Sequence, residues 1–172
     1  MPWFIVTTYP VIGTYFNTSS LVIKLCSAGT YWVNASLCQI CPIGTYSSTS
    51  GASACRKCVA GSYALTSGLS ACTSCAVGTY MSREGSTNCT ACAAGTFADQ
   101  EMASVCSDCP AGTYSSVKSA SMCTACSGNT YTPIIGALNC TQCPLCSKRG
   151  YYMTGCSGTS SGGCDKCTNT IN

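Results

Sequence analysis

Residues 41–58 read CPIGTYSSTSGASACRKC, and variants of this stretch follow one another along most of the chain. Each unit opens with a Cys-x2-Cys pair, continues two residues later with Gly-Thr-Tyr or a close variant, and ends in a segment rich in Ser, Thr and Ala. The first cysteines of the pairs are Cys38, Cys55, Cys72, Cys89, Cys106, Cys123 and Cys140, and the second cysteines are Cys41, Cys58, Cys75, Cys92, Cys109, Cys126 and Cys143. Both series advance in steps of 17 residues, which is typical of tandem repeats that pack mainly on their neighbours.

The cysteine content sets the class of protein. Of the 172 residues 19 are cysteine, a share of about 11% that exceeds the roughly 8–10% marking a disulfide scaffold. Because the chain has only 3 Phe and 2 Trp, it lacks the side chains for a large apolar interior. The sequence therefore predicts a small disulfide-rich repeat protein, an elongated rod of seven roughly 17-residue cysteine loops with short β-hairpins and almost no helix.

Three further positions recur once per repeat, in steps of 17 residues except for a first step of 15 from Gly29 to Gly44 and from Tyr31 to Tyr46. The motif glycines predict a turn with positive φ, and Asn129, which replaces the seventh glycine, also tolerates that conformation. The motif glycines are Gly29, Gly44, Gly61, Gly78, Gly95 and Gly112, and a second turn is indicated by Gly51, Gly68, Gly85 and Gly136. The motif aromatics are Tyr31, Tyr46, Tyr63, Tyr80, Phe97, Tyr114 and Tyr131. We interpret these rings as packing between repeats, with a ligand-stacking stripe as the alternative.

Cysteine pairs at this spacing are compatible with either disulfides or zinc ribbons. The chain is rich in Ser and Thr, poor in Lys and Arg, and carries four Asn-x-Ser/Thr sequons. Together with the cysteine density, these features favour an oxidising, extracellular compartment. We therefore prefer disulfides, keep zinc as the alternative, and predict no metal and no other cofactor.

An imperfect repeat near the N-terminus indicates which cysteines pair. The segment Pro10–Tyr15 resembles a Gly-Thr-Tyr unit in which Pro10 replaces the second cysteine of a pair, and Ile23 stands where the closing cysteine would be. Because both cysteines are missing together, each second cysteine is predicted to bond forward to the first cysteine of the next pair. The implied bridges are Cys26 with Cys38, Cys41 with Cys55, Cys58 with Cys72, Cys75 with Cys89, Cys92 with Cys106, Cys109 with Cys123, and Cys126 with Cys140.

The run from Cys41 through Gly44, Thr45 and Tyr46 to Cys55, repeated over residues 26–143, resembles the ephrin-receptor-like cysteine-rich repeat. Beyond residue 143 the order of cysteines is similar to the second half of a tumour-necrosis-factor-receptor cysteine-rich module. That resemblance implies two crossed bridges, Cys143 with Cys156 and Cys146 with Cys164. Cys167 is then left over, and it is predicted to bond outside this chain, with an unpaired reactive thiol as the alternative. Similar repeats occur in surface proteins of protists and in algal mastigonemes.

The same composition argues against several classes of function. Histidine is absent, which removes the commonest general base, and the five acidic residues are scattered along the sequence. We predict no catalytic residues and no enzyme activity. A net charge of +3 with 8% charged residues predicts no binding to nucleic acid.

The sequence divides into four predicted segments: residues 1–25, 26–142, 143–167 and 168–172. The first is an apolar, β-prone extension without cysteine, the second holds the tandem repeats, the third is the crossed-disulfide module, and the fourth is a tail. The extension is too interrupted for a membrane span and does not have the pattern of a signal peptide. Its predicted assembly residues are Trp3, Phe4, Ile5, Val6, Val11 and Ile12. They are expected to add a strand to another copy of the protein, or alternatively to fold back as a cap.

These features together predict a structural subunit of an extracellular glycoprotein filament or surface coat. Subunits would join head to tail through the N-terminal extension, and a head-to-tail contact that does not close on itself generates a filament. The predicted N-glycosylation sites are Asn17, Asn34, Asn88 and Asn139, and O-linked sugars on Ser and Thr are also expected. The alternative function is the ligand-binding ectodomain of a cell-surface receptor.

Overall fold

The computed structural model describes residues 14–17, 22–34 and 37–167. Within these residues the chain forms only short β-strands and no helix, and the strands make nine two-stranded antiparallel sheets. The first four strands are β1 (Thr14–Asn17), β2 (Val22–Leu25), β3 (Thr30–Asn34) and β4 (Leu37–Ile40). This architecture, with its regularly spaced disulfides, confirms the predicted fold class, a small disulfide-rich repeat protein.

The central repeats are built from strands of two residues. They are β5 (Thr45–Tyr46), β6 (Arg56–Lys57), β7 (Ser62–Tyr63), β8 (Thr73–Ser74), β9 (Thr79–Tyr80), β10 (Thr90–Ala91), β11 (Thr96–Phe97), β12 (Ser107–Asp108), β13 (Thr113–Tyr114), β14 (Thr124–Ala125), β15 (Thr130–Tyr131) and β16 (Thr141–Gln142). In each pair the Thr-Tyr step of one motif lies opposite the two residues between the next two cysteines. Thr45, for example, pairs with Lys57 and Tyr46 with Arg56. Each loop is therefore closed twice, by a disulfide and by a two-residue β-ladder.

The glycine and the threonine of the Gly-Thr-Tyr motif have separate structural roles. Gly44 has a φ of 77°, as the sequence predicts, and so turns the chain out of the cysteine pair. The hydroxyl of Thr45 donates a hydrogen bond of 2.7 Å to the carbonyl of Pro42, which secures the same turn. Ser62 makes the equivalent bond to Val59, so a hydroxyl is what this position needs. Asn129 also has positive φ, in agreement with its place in the glycine series.

The second predicted turn also has positive φ at Gly51, Gly68, Gly85 and Gly136. The same register continues through two residues that are not glycine. Met102 and Ser119 have φ values of 60° and 59°. A side chain in this conformation is uncommon, so the loop closure and the stacking hold the backbone there in spite of the residue type.

The core is a narrow line of sulfur and small side chains. The second cysteines of the pairs are buried; Cys41 and Cys58, for example, are fully inaccessible to solvent. Beside them lie the residues that follow the motif aromatic, and these are small wherever they are buried: Ser47, Ala64, Ala98, Ser115 and Thr132. Cystine and these small residues thus occupy the place that a large apolar core has in other proteins.

The chain folds into two compact units. The first contains residues 1–75 and 81–89, and the second contains residues 76–80 and 90–172. This division into units does not test the segment boundaries predicted after residues 25, 142 and 167, which stay predictions.

Inside each unit, backbone hydrogen bonds join successive loops. In the first unit, the Gly44 N–H donates to the Ala64 carbonyl at 2.9 Å, and the Gly68 N–H donates to the Cys41 carbonyl at 2.8 Å. In the second unit, the Gly95 N–H bonds the Ser115 carbonyl and the Gly136 N–H bonds the Cys109 carbonyl, each at 2.8 Å. The N–H groups of the motif glycine and of the second-turn glycine thus both donate to an adjacent loop. Because these two positions recur along the sequence, the loops within each unit stack in a regular way.

A longer hairpin follows the last repeat of the second unit. Strands β17 (Tyr151–Ser157) and β18 (Ser160–Lys166) pair along most of their length, and their turn carries Gly158. The Gly158 carbonyl accepts a 2.8 Å hydrogen bond from the Thr132 N–H, in the way that Ala137 accepts one from Ser115. The tip of this hairpin therefore takes the position that another loop would occupy, and it caps the last repeat.

Candidate functional site

The disulfide ladder is the most extensive feature that the chain builds from its repeated residues. Among the described residues nine bridges form, and in each the Cα atoms lie between 5.5 and 6.1 Å apart. Seven bridges close loops: Cys26–Cys38, Cys41–Cys55, Cys58–Cys72, Cys75–Cys89, Cys92–Cys106, Cys109–Cys123 and Cys126–Cys140. Their partners are those that the missing cysteines at Pro10 and Ile23 indicate. A disulfide sulfur is not a thiolate, so these cysteines are not arranged as zinc ligands.

The remaining two bridges tie the terminal hairpin to the last repeat. Cys143 bonds Cys156 and Cys146 bonds Cys164, which is the crossed order implied by the receptor resemblance. The hairpin contributes one cysteine from each strand to these bridges: Cys156 lies in β17 and Cys164 lies in β18. The cap is thus held by covalent bonds from both strands.

Cys167 is the described cysteine without a disulfide, and its side chain is exposed. Its N–H donates a 2.6 Å hydrogen bond to the carbonyl of Gly150, so the backbone places the thiol beside the base of the hairpin. Its bond to a partner outside this chain stays a prediction.

No group of three or more His, Cys, Asp or Glu side chains in the described ranges is arranged to hold a metal ion. In the same ranges, the structure contains no helix that is long and apolar enough to cross a membrane.

Three of the four sequon asparagines lie where a glycan could be accommodated. Asn34 is at the end of β3, and Asn88 and Asn139 each precede the first cysteine of a pair; all three residues are exposed. The backbone of Asn17 lies in β1, and nothing further is described for its side chain. Glycosylation at the four sites stays a prediction.

The motif aromatics are half-buried at every described position. Tyr31 donates a hydrogen bond of 3.1 Å from its hydroxyl to the Gln39 side chain on the paired strand. One member of the series borders a shallow apolar hollow in the second unit, where Phe97 lies beside Val77, Pro110 and Met122. Met122 is 73% exposed, so this hollow presents apolar surface to solvent.

Several aliphatic side chains are exposed at the end of the N-terminal extension and in the first repeats. Leu25, Leu37, Ile40 and Ile43 are each between 50 and 57% exposed, and Val33 is 44% exposed. We call these five residues the aliphatic set. The predicted assembly residues Trp3, Phe4, Ile5, Val6, Val11 and Ile12 lie outside the described residues, and their role stays a prediction.

Several structural residues were not found by sequence reasoning. The small residues after the motif aromatic had a visible signal, since Ser, Ala or Thr recurs there with the repeat period. The positive φ of Met102 and Ser119 could have been inferred only from register, because neither residue type suggests it. The capping role of Gly158 had no signal, because it depends on how the hairpin meets the last repeat.

Comparison with protein families agrees with this arrangement. The family model described as tyrosine-protein kinase ephrin type A/B receptor-like matches the chain four times, over residues 29–68, 61–109, 95–143 and 112–161. The overlapping matches span residues 29–161, about three quarters of the sequence, and confirm the resemblance stated for the repeats. No curated protein matches the chain at a significant level.

Proposed function

The chain belongs to the ephrin-receptor-like cysteine-rich family, and from that premise we propose that it is a structural subunit of an extracellular glycoprotein filament or surface coat. The coarser part of this statement, an extracellular disulfide-rich domain, rests on the family and on the density of disulfides. The finer part, assembly into a filament or coat, is the proposal.

The observation that carries the proposal is the uniformity of the loops. Six consecutive bridges, from Cys41–Cys55 to Cys126–Cys140, have the same Cα separation of 5.7 Å and the same sequence separation of 14. Around them the buried side chains are small, and backbone bonds link successive loops within each unit. Equal loops that each pack mainly on their neighbours give a repeat array of even stability, which suits a structural spacer.

Assembly would use the apolar N-terminal region. The extension carries Trp3, Phe4, Ile5 and Val6 in succession, and the exposed aliphatic set begins at its last residue, Leu25, and continues into the first repeats. Apolar β-prone sequences associate when nothing covers them, and low charge does little to oppose their association. We propose that the extension of one copy docks on another copy and that repetition of this contact builds the polymer.

The test compares the full chain with two matched variants. The assembly variant carries Trp3→Ser, Phe4→Ser, Ile5→Ser and Val6→Ser. The control variant also removes four apolar side chains, each 61–67% exposed and remote in sequence from the extension: Leu65→Ser, Val105→Ser, Val117→Ser and Ile134→Ser.

Sedimentation velocity should show large species for the full chain and the control variant, and a single small species for the assembly variant. The proposal is wrong if the full chain sediments as a monomer at every concentration, or if the two variants dissociate equally. Intact disulfides, checked by mass under non-reducing conditions, exclude misfolding as the cause of a change.

A receptor ectodomain is the second candidate, and the hollow around Phe97 favours it. Val77 and Met122 are not repeated at the equivalent positions of most other loops, where Ala and Asn are common. A nonrepeating apolar hollow is what a ligand-binding surface requires. A strictly monomeric protein whose ligand binding is lost in Met122→Ser would support this candidate over the filament.

A further inference from the structure

Two sequons occupy the same position in the repeat and share an unusual middle residue. They are Asn88-Cys89-Thr90 and Asn139-Cys140-Thr141, and they lie 51 residues, or three repeats of 17, apart. In both, the middle residue is the first cysteine of a pair. The sequon at Asn34 has Ala35 in the middle and therefore provides an internal comparison.

In the folded chain, the middle and last residues of these two sequons are held in place. Cys89 is bonded to Cys75, whose side chain is fully buried, and Thr90 pairs with Tyr80 in the β-ladder. The second sequon repeats this arrangement, with Cys140 bonded to Cys126 and Thr141 paired with Tyr131. A transferase that must take the three residues into its own active site cannot do so while the disulfide and the ladder hold them.

The asparagines themselves are exposed in the closed loops. A glycan attached before closure would therefore project into solvent without disturbing the bridge. The obstacle applies to the transfer reaction and not to the glycosylated product.

We infer that oligosaccharide transfer to Asn88 and Asn139 competes with closure of Cys75–Cys89 and Cys126–Cys140, so that each site is modified only while its bridge is open. The inference is independent of filament assembly, but it rests on the glycosylation that the proposed function includes, and it requires the secretory route that the family and the disulfides indicate.

The competing reactions are chemically distinct. In glycosylation, the carboxamide nitrogen of asparagine forms a bond to the anomeric carbon of an oligosaccharide carried on a lipid pyrophosphate. The bond from that carbon to the phosphate oxygen breaks, the lipid pyrophosphate leaves, and the amide loses a proton to the transferase. In closure, two cysteine thiols lose two electrons and two protons to a disulfide oxidant, which is reduced to a dithiol. Whichever reaction comes first determines whether the site carries a glycan.

The test measures site occupancy in the full chain secreted from glycosylating cells. Peptides are released, deglycosylated enzymatically in heavy-oxygen water and quantified by mass spectrometry. Cys75→Ser removes the partner of Cys89 and leaves the first sequon unchanged, and Cys126→Ser does the same for the second. Asn34 is the control in every sample.

We expect Cys75→Ser to raise occupancy at Asn88 severalfold, with Asn139 and Asn34 unchanged, and Cys126→Ser to raise occupancy at Asn139 alone. A short pulse of dithiothreitol during synthesis of the unmodified chain should raise both sites but not Asn34, which tests the inference without any substitution. Full occupancy at both sites in the unmodified chain would overturn the competition, because closure would then never precede transfer. So would occupancy that does not respond to either treatment, or a rise at all three sites together, which would indicate general misfolding.

Discussion

At the scale of single residues, glycine is required in this repeat for two different reasons. Gly44 and Gly68 both have positive φ, at 77° and 79°, so each avoids the strain that a side chain meets in that conformation. Gly44 has a further constraint, because a Cβ built on it would overlap the carbonyl oxygen of Gly85 two loops further on. A Cβ on Gly68 would meet no atom within 4 Å. The motif glycine therefore permits close stacking, whereas the second-turn glycine only permits the turn.

This difference gives a matched pair of substitutions. Gly68→Ala should lower the free energy of unfolding by about 1–2 kcal/mol, the usual cost of the left-handed conformation for a residue with a Cβ. Gly44→Ala should cost several kcal/mol, because it adds overlap with a backbone atom that cannot turn aside. Thermal unfolding of both variants with disulfides intact measures the difference. Equal losses of stability would show that the contact between Gly44 and Gly85 does not limit the packing.

At the scale of the loop, the sequence determines the closed form and leaves the contacts between loops undetermined. The partners of Cys41 and Cys58 followed from two missing cysteines, and the turn at Asn129 followed from its register with glycine. These features are local, since each is decided within about one repeat. The close approach of Gly44 to Gly85, and the capping contact of Gly158, depend on how loops stack. Stacking joins residues that are distant in sequence, and periodicity alone does not specify its geometry.

The two bridges of the terminal hairpin should differ in their resistance to reduction. Cys146–Cys164 joins a half-buried cysteine to an exposed one, whereas Cys143–Cys156 contains Cys143, which is 7% exposed. Reduction requires a thiolate to reach one of the sulfur atoms, so the exposed bridge should open first. Limited reduction of the folded chain, followed by alkylation and peptide mass spectrometry, should label Cys146 and Cys164 before any other bridged cysteine.

A Cys167→Ser variant serves as the starting protein for this experiment, because it removes the free thiol that could exchange with the neighbouring bridges. Equal rates of opening in the hairpin and in the repeat loops would show that exposure of sulfur does not control reduction here. Opening of Cys143–Cys156 before Cys146–Cys164 would contradict the prediction directly.

At the scale of the whole chain, the low charge and the exposed aliphatic side chains decide which force can drive association. Charged residues are 8% of the sequence, against about 25% in typical soluble domains. Large apolar side chains are nevertheless exposed in both units, among them Leu37 and Ile40 in the first and Ile134 and Leu138 in the second. Apolar contact is thus the dominant interaction that the surface offers to another copy, and ionic contact is a minor one.

Self-association should therefore respond to temperature more than to salt. Raising the ionic strength from about 0.05 to 0.5 M shortens the screening length severalfold, which weakens ionic interfaces but leaves apolar ones intact or slightly stronger. Cooling should weaken association, because the hydrophobic driving force falls at low temperature. Sedimentation velocity of the full chain across both series, with the four-serine assembly variant as control, measures the two responses. Polymers that dissociate when salt is added and persist on cooling would contradict the prediction and would require an ionic interface. The ion pairs of such an interface would have to come from the 13 charged residues of this chain, 8 basic and 5 acidic.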